Sequence, residues 1–376
     1  MREPTRQTVI NSANKLASYK IARSSRSDVL VAIGNFSLWL MLLILLNACS
    51  REPLYQSQGY VFGTLVDVSI YGEPEPRARE LAGHVLQDFQ GLHNQLHAWQ
   101  PGSELSKLNQ AFADGKSLPI STELAQIITN ATALSVQSNG LFNPAIGGLI
   151  KQWGFQRDEF TPVKIDTTAI TELVKADPKM TDITIENNMA SSKNPAVKLD
   201  LGGYAKGYAL DRAASYLRSQ NVRNALINIG GNIIALGKHG EKPWRVGIQH
   251  PRKPGPIATL DLNDGWAIGT SGDYQRYFEL GGKRYCHVID PRSGYPAQGT
   301  QAVTIIVPPG EQAGTLSDVA SKPIFISSAD DRAAAAKTMG VADFMVIDAQ
   351  GKILVNASMA KRLKWTEKNV APTIFP

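Results

Sequence analysis

KLDLGGYAKGYALD, residues 198–211, decides how this 376-residue chain is read. Val197, Leu199 and Leu201 alternate with Lys198 and Asp200 at the two-residue period of a short strand. Gly202-Gly203 breaks that period, and Tyr204, Ala205, Tyr208, Ala209 and Ala213 then carry an alanine-rich helix. A strand passing through paired glycines into a helix predicts an anion site. Glycine admits a ligand close to the main chain, the first helical turn has N–H groups to offer, and Lys206 adds a full charge. The same residues also suit a tight turn with no ligand. Two features downstream weigh towards the ligand: a second strand ending in a glycine pair, Ala225–Ile229 into Gly230-Gly231-Asn232, and a dense polar segment from Ala267 to Pro296.

Working outward, Val66, Val68 and Ile70 alternate as a strand closed by Gly72 and Pro74. Leu81, Val85, Phe89, Leu92 and Leu96 follow at helical spacing, in a helix ending close to Trp99. Ser121 suits the N-cap of a second helix, with Leu124, Ile127, Ile128, Ala131 and Leu134, that stops at Asn139-Gly140. Trp244–Ile248 and Ala258–Leu262 have the pattern of strands in an antiparallel sheet. The polar segment after them holds Thr270, Ser271, Asp273, Arg276, His287, Asp290 and Arg292. Ordering such loops costs conformational entropy, which favours a functional use, although the arginines also suit simple pairing with carboxylates.

A composition 43% hydrophobic and 19% charged predicts a globular chain with a real core. The formal charge of +6 favours anionic partners. No basic run is interleaved with aromatics, and Arg2, Arg6, Lys15, Lys20, Arg23 and Arg26 hold part of the excess, so nucleic acid is set aside as a partner. Those residues precede an apolar run, Leu38–Leu46, and then Asn47-Ala48-Cys49. Residues 1–48 thus resemble a bacterial lipoprotein signal, with Cys49 as the residue that takes lipid. An uncleaved membrane helix over Val29–Ala48 is the competing reading. Either places the globular part at a bacterial membrane, facing the periplasm. With Cys49 lipidated, Cys286 has no intrachain disulfide partner. Polar residues up to Gly59 make 49–59 a tether, with the domain starting near Tyr60.

Seven motifs then occur in order: GTLVDVSIYG (63–72), GLFNPAIGGLIKQWGF (140–155), DLGGYAKGYALD (200–211), NIGGNI (228–233), TSGDYQRYFE (270–279), HVIDPRSGYP (287–296) and SDVASKP (317–323). Together they resemble the ApbE family, the FAD:protein FMN transferases, over residues 60–356, leaving 357–376 as a tail. The resemblance implies an exported, magnesium-dependent transferase that moves FMN from FAD to a threonine or serine of an acceptor protein, such as a membrane electron-transfer subunit or periplasmic reductase, and releases AMP. It implies an α+β, T-fold-like architecture of antiparallel sheets and packed helices in two subdomains. By position, Phe62, Trp99, Leu141, Phe142, Asn143, Asp200, Lys206 and Val288 would contact FAD, with Trp99 stacked on the isoalloxazine. Gly203 (through its carbonyl), Asp318 and Ser321 would hold Mg²⁺.

The chemistry sets requirements of its own. Attack of a hydroxyl on the phosphorus nearer riboflavin expels AMP, so charge on the leaving oxygen must be neutralised, by Lys206 and the metal. A base must take the hydroxyl proton, and His287 and Asp273 both qualify. A FAD pyrophosphatase, or a flavin-binding lipoprotein without turnover, would use much of the same site. Lys322 departs from the pattern, standing where the family has a threonine. An ammonium cannot ligate a metal, so Lys322 is expected against Asp318 and the diphosphate, partly replacing Mg²⁺. Pro323 argues that Asp318 and Lys322 do not share one uninterrupted helix face.

Overall fold

Nine strands form the main sheet, and their spatial order follows the chain from end to end. They are β1 (Leu54–Val61), β2 (Thr64–Tyr71), β3 (Asn224–Ile229), β4 (Asn232–Leu236), β5 (Ala267–Gly272), β6 (Thr300–Val307), β7 (Asp343–Asp348), β8 (Ile353–Val355) and β9 (Thr373–Ile374). Every neighbouring pair is antiparallel except β8 with β9. The computed structural model describes residues 53–157, 159–368 and 370–375, so the segment expected to direct export and Cys49 lie outside the described residues. Among the described residues no helix is long and apolar enough to cross a membrane.

Register explains the two cores. Val66, Val68 and Ile70 lie opposite Ile229, Ile227 and Ala225, and Ile227 lies opposite Ile234, so one apolar stripe crosses three strands on a single face. Helix α1 (Glu75–Leu96) lays Leu81, Val85, Phe89 and Leu92 on that face, joined by α2 (Glu104–Ala113) and α3 (Thr122–Gln137). On the other face Ile233, Ile268, Ile306 and Met345 meet Trp244, Val246 and Leu260. The latter belong to a small sheet of Trp244–Gln249, Pro256–Leu262 and Lys364–Trp365. Covered on both sides, β6 is buried at every position, which is why TQAVTIIV lacks a clean alternation. A third core gathers around Trp153, 1% exposed, with α4 (Gly147–Gln152) and α5 (Thr167–Ala176). The Trp153 indole N–H donates to the Gly294 carbonyl at 2.7 Å. The remaining helices are α6 (Ala205–Ser219), α7 (Ala313–Val319), α8 (Ser321–Ile326), α9 (Arg332–Thr338) and α10 (Ala357–Arg362). The α+β class with antiparallel sheets holds.

Three expectations need correction. Leu54–Gly59 is not tether but most of β1, paired with β2 along its length. As an edge strand it is held by main-chain bonds, and Gln56, Ser57 and Gln58 at its centre interrupt any apolar period. Residues 357–376 are no bare tail, since Met359 and Leu363 enter the second core and two short strands extend the sheets. The strand expected at 197–201 joins no sheet; it makes one parallel bridge, Ile146 to Lys198. Its alternation is real, because Val197, Leu199 and Leu201 are buried, but its hydrogen bonds go elsewhere.

Candidate active site

Those bonds come first from Asn109, a buried side chain of α2 that stands in for a neighbouring strand. Its Nδ2 donates to the Leu199 carbonyl at 2.8 Å, and its Oδ1 accepts from the Leu199 N–H at 2.6 Å. On the other edge the Gly147 N–H donates to Lys198, while Lys198 and Asp200 donate to Ala145 and Pro144. Lys198 and Asp200 therefore project from a fixed segment, two residues apart and on one side. Asp200 Oδ2 accepts from the Trp99 indole N–H at 2.9 Å, and its Oδ1 accepts from the Gly202 N–H at 2.9 Å. The Lys198 ammonium lies 4.5 Å from the Trp99 ring centroid, a cation–π contact. Burial, reinforced by Lys151, lowers the Lys198 pKa. His97 Nδ1, just beyond α1, accepts from the Trp99 and Gln100 N–H groups and fixes the turn that presents the indole.

Beyond Asp200 the glycines have different tasks. Gly203 lies under Lys322, and a Cβ there would come within 2.7 Å of Lys322 Cε. Gly207 lets α6 touch α7: a Cβ would meet the Gly314 carbonyl at 2.4 Å, and one on Gly314 would meet the Gly207 carbonyl at 2.6 Å. Asp211 locks the crossing, accepting from the Gly314 and Thr315 N–H groups and the Thr315 hydroxyl, each at 2.7 Å. The contact carries Asp318 to the start of α6, where its Oδ2 accepts from the Gly207 N–H at 3.1 Å. Lys322 Nζ donates to Asp318 Oδ1 and to the Asp318 carbonyl, both at 2.7 Å. The helix does break, at Ala320, yet the pair meets: Lys322 and Pro323 sit in the first turn of α8, where proline is tolerated.

The charges converge. Burial pushes the Asp318 carboxyl up, but Lys322 and Lys206 outweigh it and hold the pKa down at about 2. Burial lowers the Lys206 pKa, with Asp318 opposing and Lys322 and Arg276 adding to the effect. Neither Lys206 Nζ nor the Arg276 guanidinium donates a hydrogen bond to any described residue, although Arg276 faces the Phe160 ring at 5.7 Å. His287 Nδ1 lies 3.3 Å from the Arg276 carbonyl, which assigns the proton to Nδ1 and leaves the Nε2 lone pair open. Burial, then Arg276 and Lys206, lowers its pKa to about 3, so the imidazole is neutral. Three cations thus act on His287 while one carboxylate, Asp318, opposes two of them, and the excess suits an anion. The main chain contributes less than expected, because the N–H groups of Gly202, Tyr204, Ala205 and Gly207 are already bonded within the protein.

Other expected residues sit at varied distances from this cluster's work. Phe62 turns the β1–β2 hairpin with Gly63, at a left-handed φ of 56° that costs an aromatic residue on the order of 1 kcal/mol or more, and its ring packs on Phe89 and His93. Phe142 is buried and Leu141 half-buried, while the Asn143 amide braces its own loop through the Pro178 carbonyl and the Ala145 N–H. Val288 is buried, its carbonyl accepting from the Ala297 N–H. Asp273 gives both oxygens to Arg252, at 2.7 and 2.6 Å, so its carboxylate is committed to a bidentate ion pair. His287 is the better placed of the two bases. Asn109 gave no sequence signal, whereas Lys198 was legible as the same-face neighbour of Asp200.

Magnesium needs several oxygen ligands with unspent lone pairs. Asp318 has one carboxylate oxygen on an ammonium and the other on a main-chain N–H. Ser321 Oγ is bonded to the Ser271 hydroxyl at 2.7 Å and the Asp318 carbonyl at 2.9 Å. No cluster of three His, Cys, Asp or Glu side chains able to hold a metal occurs among the described residues. As arranged here, the Asp318 and Ser321 side chains are engaged by protein partners and do not present the oxygen set that the ion needs.

Comparison with known proteins identifies the family. The ApbE family model matches residues 62–345. An FAD:protein FMN transferase of Rhodobacter capsulatus is 40% identical over 308 residues, covering 82% of this chain, while this chain spans only 58% of that relative's length. One from Haemophilus influenzae is 30% identical over 339 residues, covering 86% of this chain and 95% of the relative. The crystal structure of the ApbE protein of Thermotoga maritima superposes with a TM-score of 0.75 at 29% identity, covering 82% of this chain and 99% of that one. The apo flavinyl transferase ApbE of Pseudomonas stutzeri gives 0.71 at 26% identity, covering 84% and 98%.

Proposed function

This chain belongs to the ApbE family, and from that premise we propose that it is an FAD:protein FMN transferase. The observation that carries the reading is a pair of cations with no hydrogen-bond acceptor among the described residues, Lys206 and Arg276, beside a neutral imidazole with an open lone pair, His287. The FAD diphosphate lies against Lys206, Arg276 and the remaining N–H of Lys322. Trp99 presents its indole to the flavin ring, oriented by Asp200 and His97. The acceptor's serine or threonine oxygen then bonds to the phosphorus nearer riboflavin, and the bridging P–O bond breaks. AMP departs with the bridging oxygen, whose growing charge the cations already face, so little reorganisation is needed. His287 Nε2 takes the hydroxyl proton. A pKa of about 3 describes an imidazole lowered by burial first and then by the cations, with no anion beside it among the described residues. The arriving diphosphate offsets those charges and raises its basicity when a proton must be accepted.

The same reading places the domain in the periplasm, tethered to a bacterial membrane by lipid on Cys49, with an exported protein as acceptor. Incubating the chain with FAD and a threonine-bearing acceptor tests it. Flavin fluorescence that stays on the denatured acceptor band is the expected result. Free FMN would indicate a hydrolase, and unaltered FAD a binding protein; either would refute the transferase.

A further inference from the structure

We propose that Lys322 takes over the part of a divalent cation in this chain, so that the FAD diphosphate is bound without a metal. The inference rests on the FAD site just described and concerns how its charge is balanced.

The ammonium is built in. Its stem crosses Gly203, where an added Cβ would come within 2.7 Å of Lys322 Cε and displace the lysine. Its head is fixed on two oxygens of Asp318, and the pair is nearly sequestered from water, with side-chain exposures of 16% and 3%. Two of the three Nζ protons are spent on those oxygens, and no described residue accepts the third. A dication binding Asp318 would have to expel a buried lysine or sit against its charge.

Charge arithmetic points the same way. With Lys206 held protonated by Asp318 against the effect of burial, Lys206, Arg276 and Lys322 supply three positive charges, Asp318 removes one, and His287 is neutral. The difference, two positive charges, matches a diphosphate diester with one negative charge on each phosphate. A further dication would overshoot that balance. Asp318 opposes both Lys206 and Lys322, so the site holds like charges together that the anion relieves. FAD binding should therefore be strong without metal, and salt-sensitive.

The experiment uses the full chain in detergent, metal-stripped, with FAD followed by its fluorescence and Mn²⁺ by electron paramagnetic resonance. The protein is expected to bind FAD with the same affinity in EDTA and in Mg²⁺, and to leave Mn²⁺ free. In Lys322→Thr, FAD affinity in EDTA should fall at least tenfold, Mg²⁺ should restore much of it, and Mn²⁺ should bind stoichiometrically. A wild-type FAD affinity that collapses in EDTA, or stoichiometric Mn²⁺ binding to the unaltered protein, would overturn the proposal, and neither result depends on a variant folding. A Lys322→Thr protein indistinguishable from wild type would overturn it as well. Because these readouts need no acceptor, failure of FMN transfer would count against the transferase reading and leave the lysine's role to be decided by FAD and Mn²⁺.

Discussion

Replacing Asn109 with alanine tests whether one amide holds the segment on which the site is built. The side chain supplies both partners of Leu199, a residue with no exposed surface, through bonds of 2.8 and 2.6 Å. Losing it leaves a main-chain N–H and a carbonyl buried without partners, each costing about 1–3 kcal/mol, so about 2–6 kcal/mol together. Against a total stability of about 5–15 kcal/mol for a typical domain, that loss shows plainly as a lowered urea midpoint. FAD should bind more weakly too, because Lys198 and Asp200 flank Leu199 and orient Trp99. Asn109→Asp sharpens the test: it keeps an acceptor for the Leu199 N–H but sets an anion against the Leu199 carbonyl, and should be no better than alanine. A loss below about 1 kcal/mol with unchanged FAD affinity would show that the 144–147 edge alone holds the segment, and would refute the reasoning.

Trp99→Ala should weaken FAD binding by about 1–3 kcal/mol, the scale of one aromatic stacking contact on a planar base, measured by fluorescence titration. An unchanged dissociation constant would remove the indole from the site. Trp153→Ala, by contrast, should cost about 3–5 kcal/mol of stability in urea while folded protein binds FAD nearly as before. Acidification should destabilise the ligand-free protein through His287. Its folded pKa, about 3, lies below the ordinary 6.5, so its contribution is complete above 6.5 and is lost as pH falls towards 3. The stability difference between the protein and His287→Gln should therefore vary with pH in that window, by at most about 1.4 kcal/mol per unit, and a flat difference would contradict the buried neutral imidazole.

The elements whose apolar period faces one core were legible in the sequence. Val66, Val68 and Ile70 alternate because one face of β2 meets helices, and Ser121 caps α3 with its hydroxyl 3.2 Å from the Leu124 N–H. Elements held by polar bonds were not. In β1 the register lies in main-chain pairing, which leaves no apolar trace. At 197–201 the alternation was visible, but the partner that replaces a sheet is one asparagine ninety positions away. Within the site, residue identities could be read from the ordered motifs. What the chain leaves to three dimensions is which charges meet: Asp273 goes to Arg252, whereas Arg276, three residues on, joins Lys206.

The back-to-back glycines where α6 crosses α7 also limit how such a protein can change. With each position's missing Cβ within 2.4–2.6 Å of the other helix's carbonyl oxygen, neither tolerates even a methyl group unless the helices separate. Separation would draw Asp318 away from the Gly207 N–H and from Lys206 together. No gradual route therefore leads through these two positions. A library randomised there and selected for activity should return glycine at both, whereas diversity should survive around Trp99 and Lys198, where the contacts are made by side chains that can re-adjust.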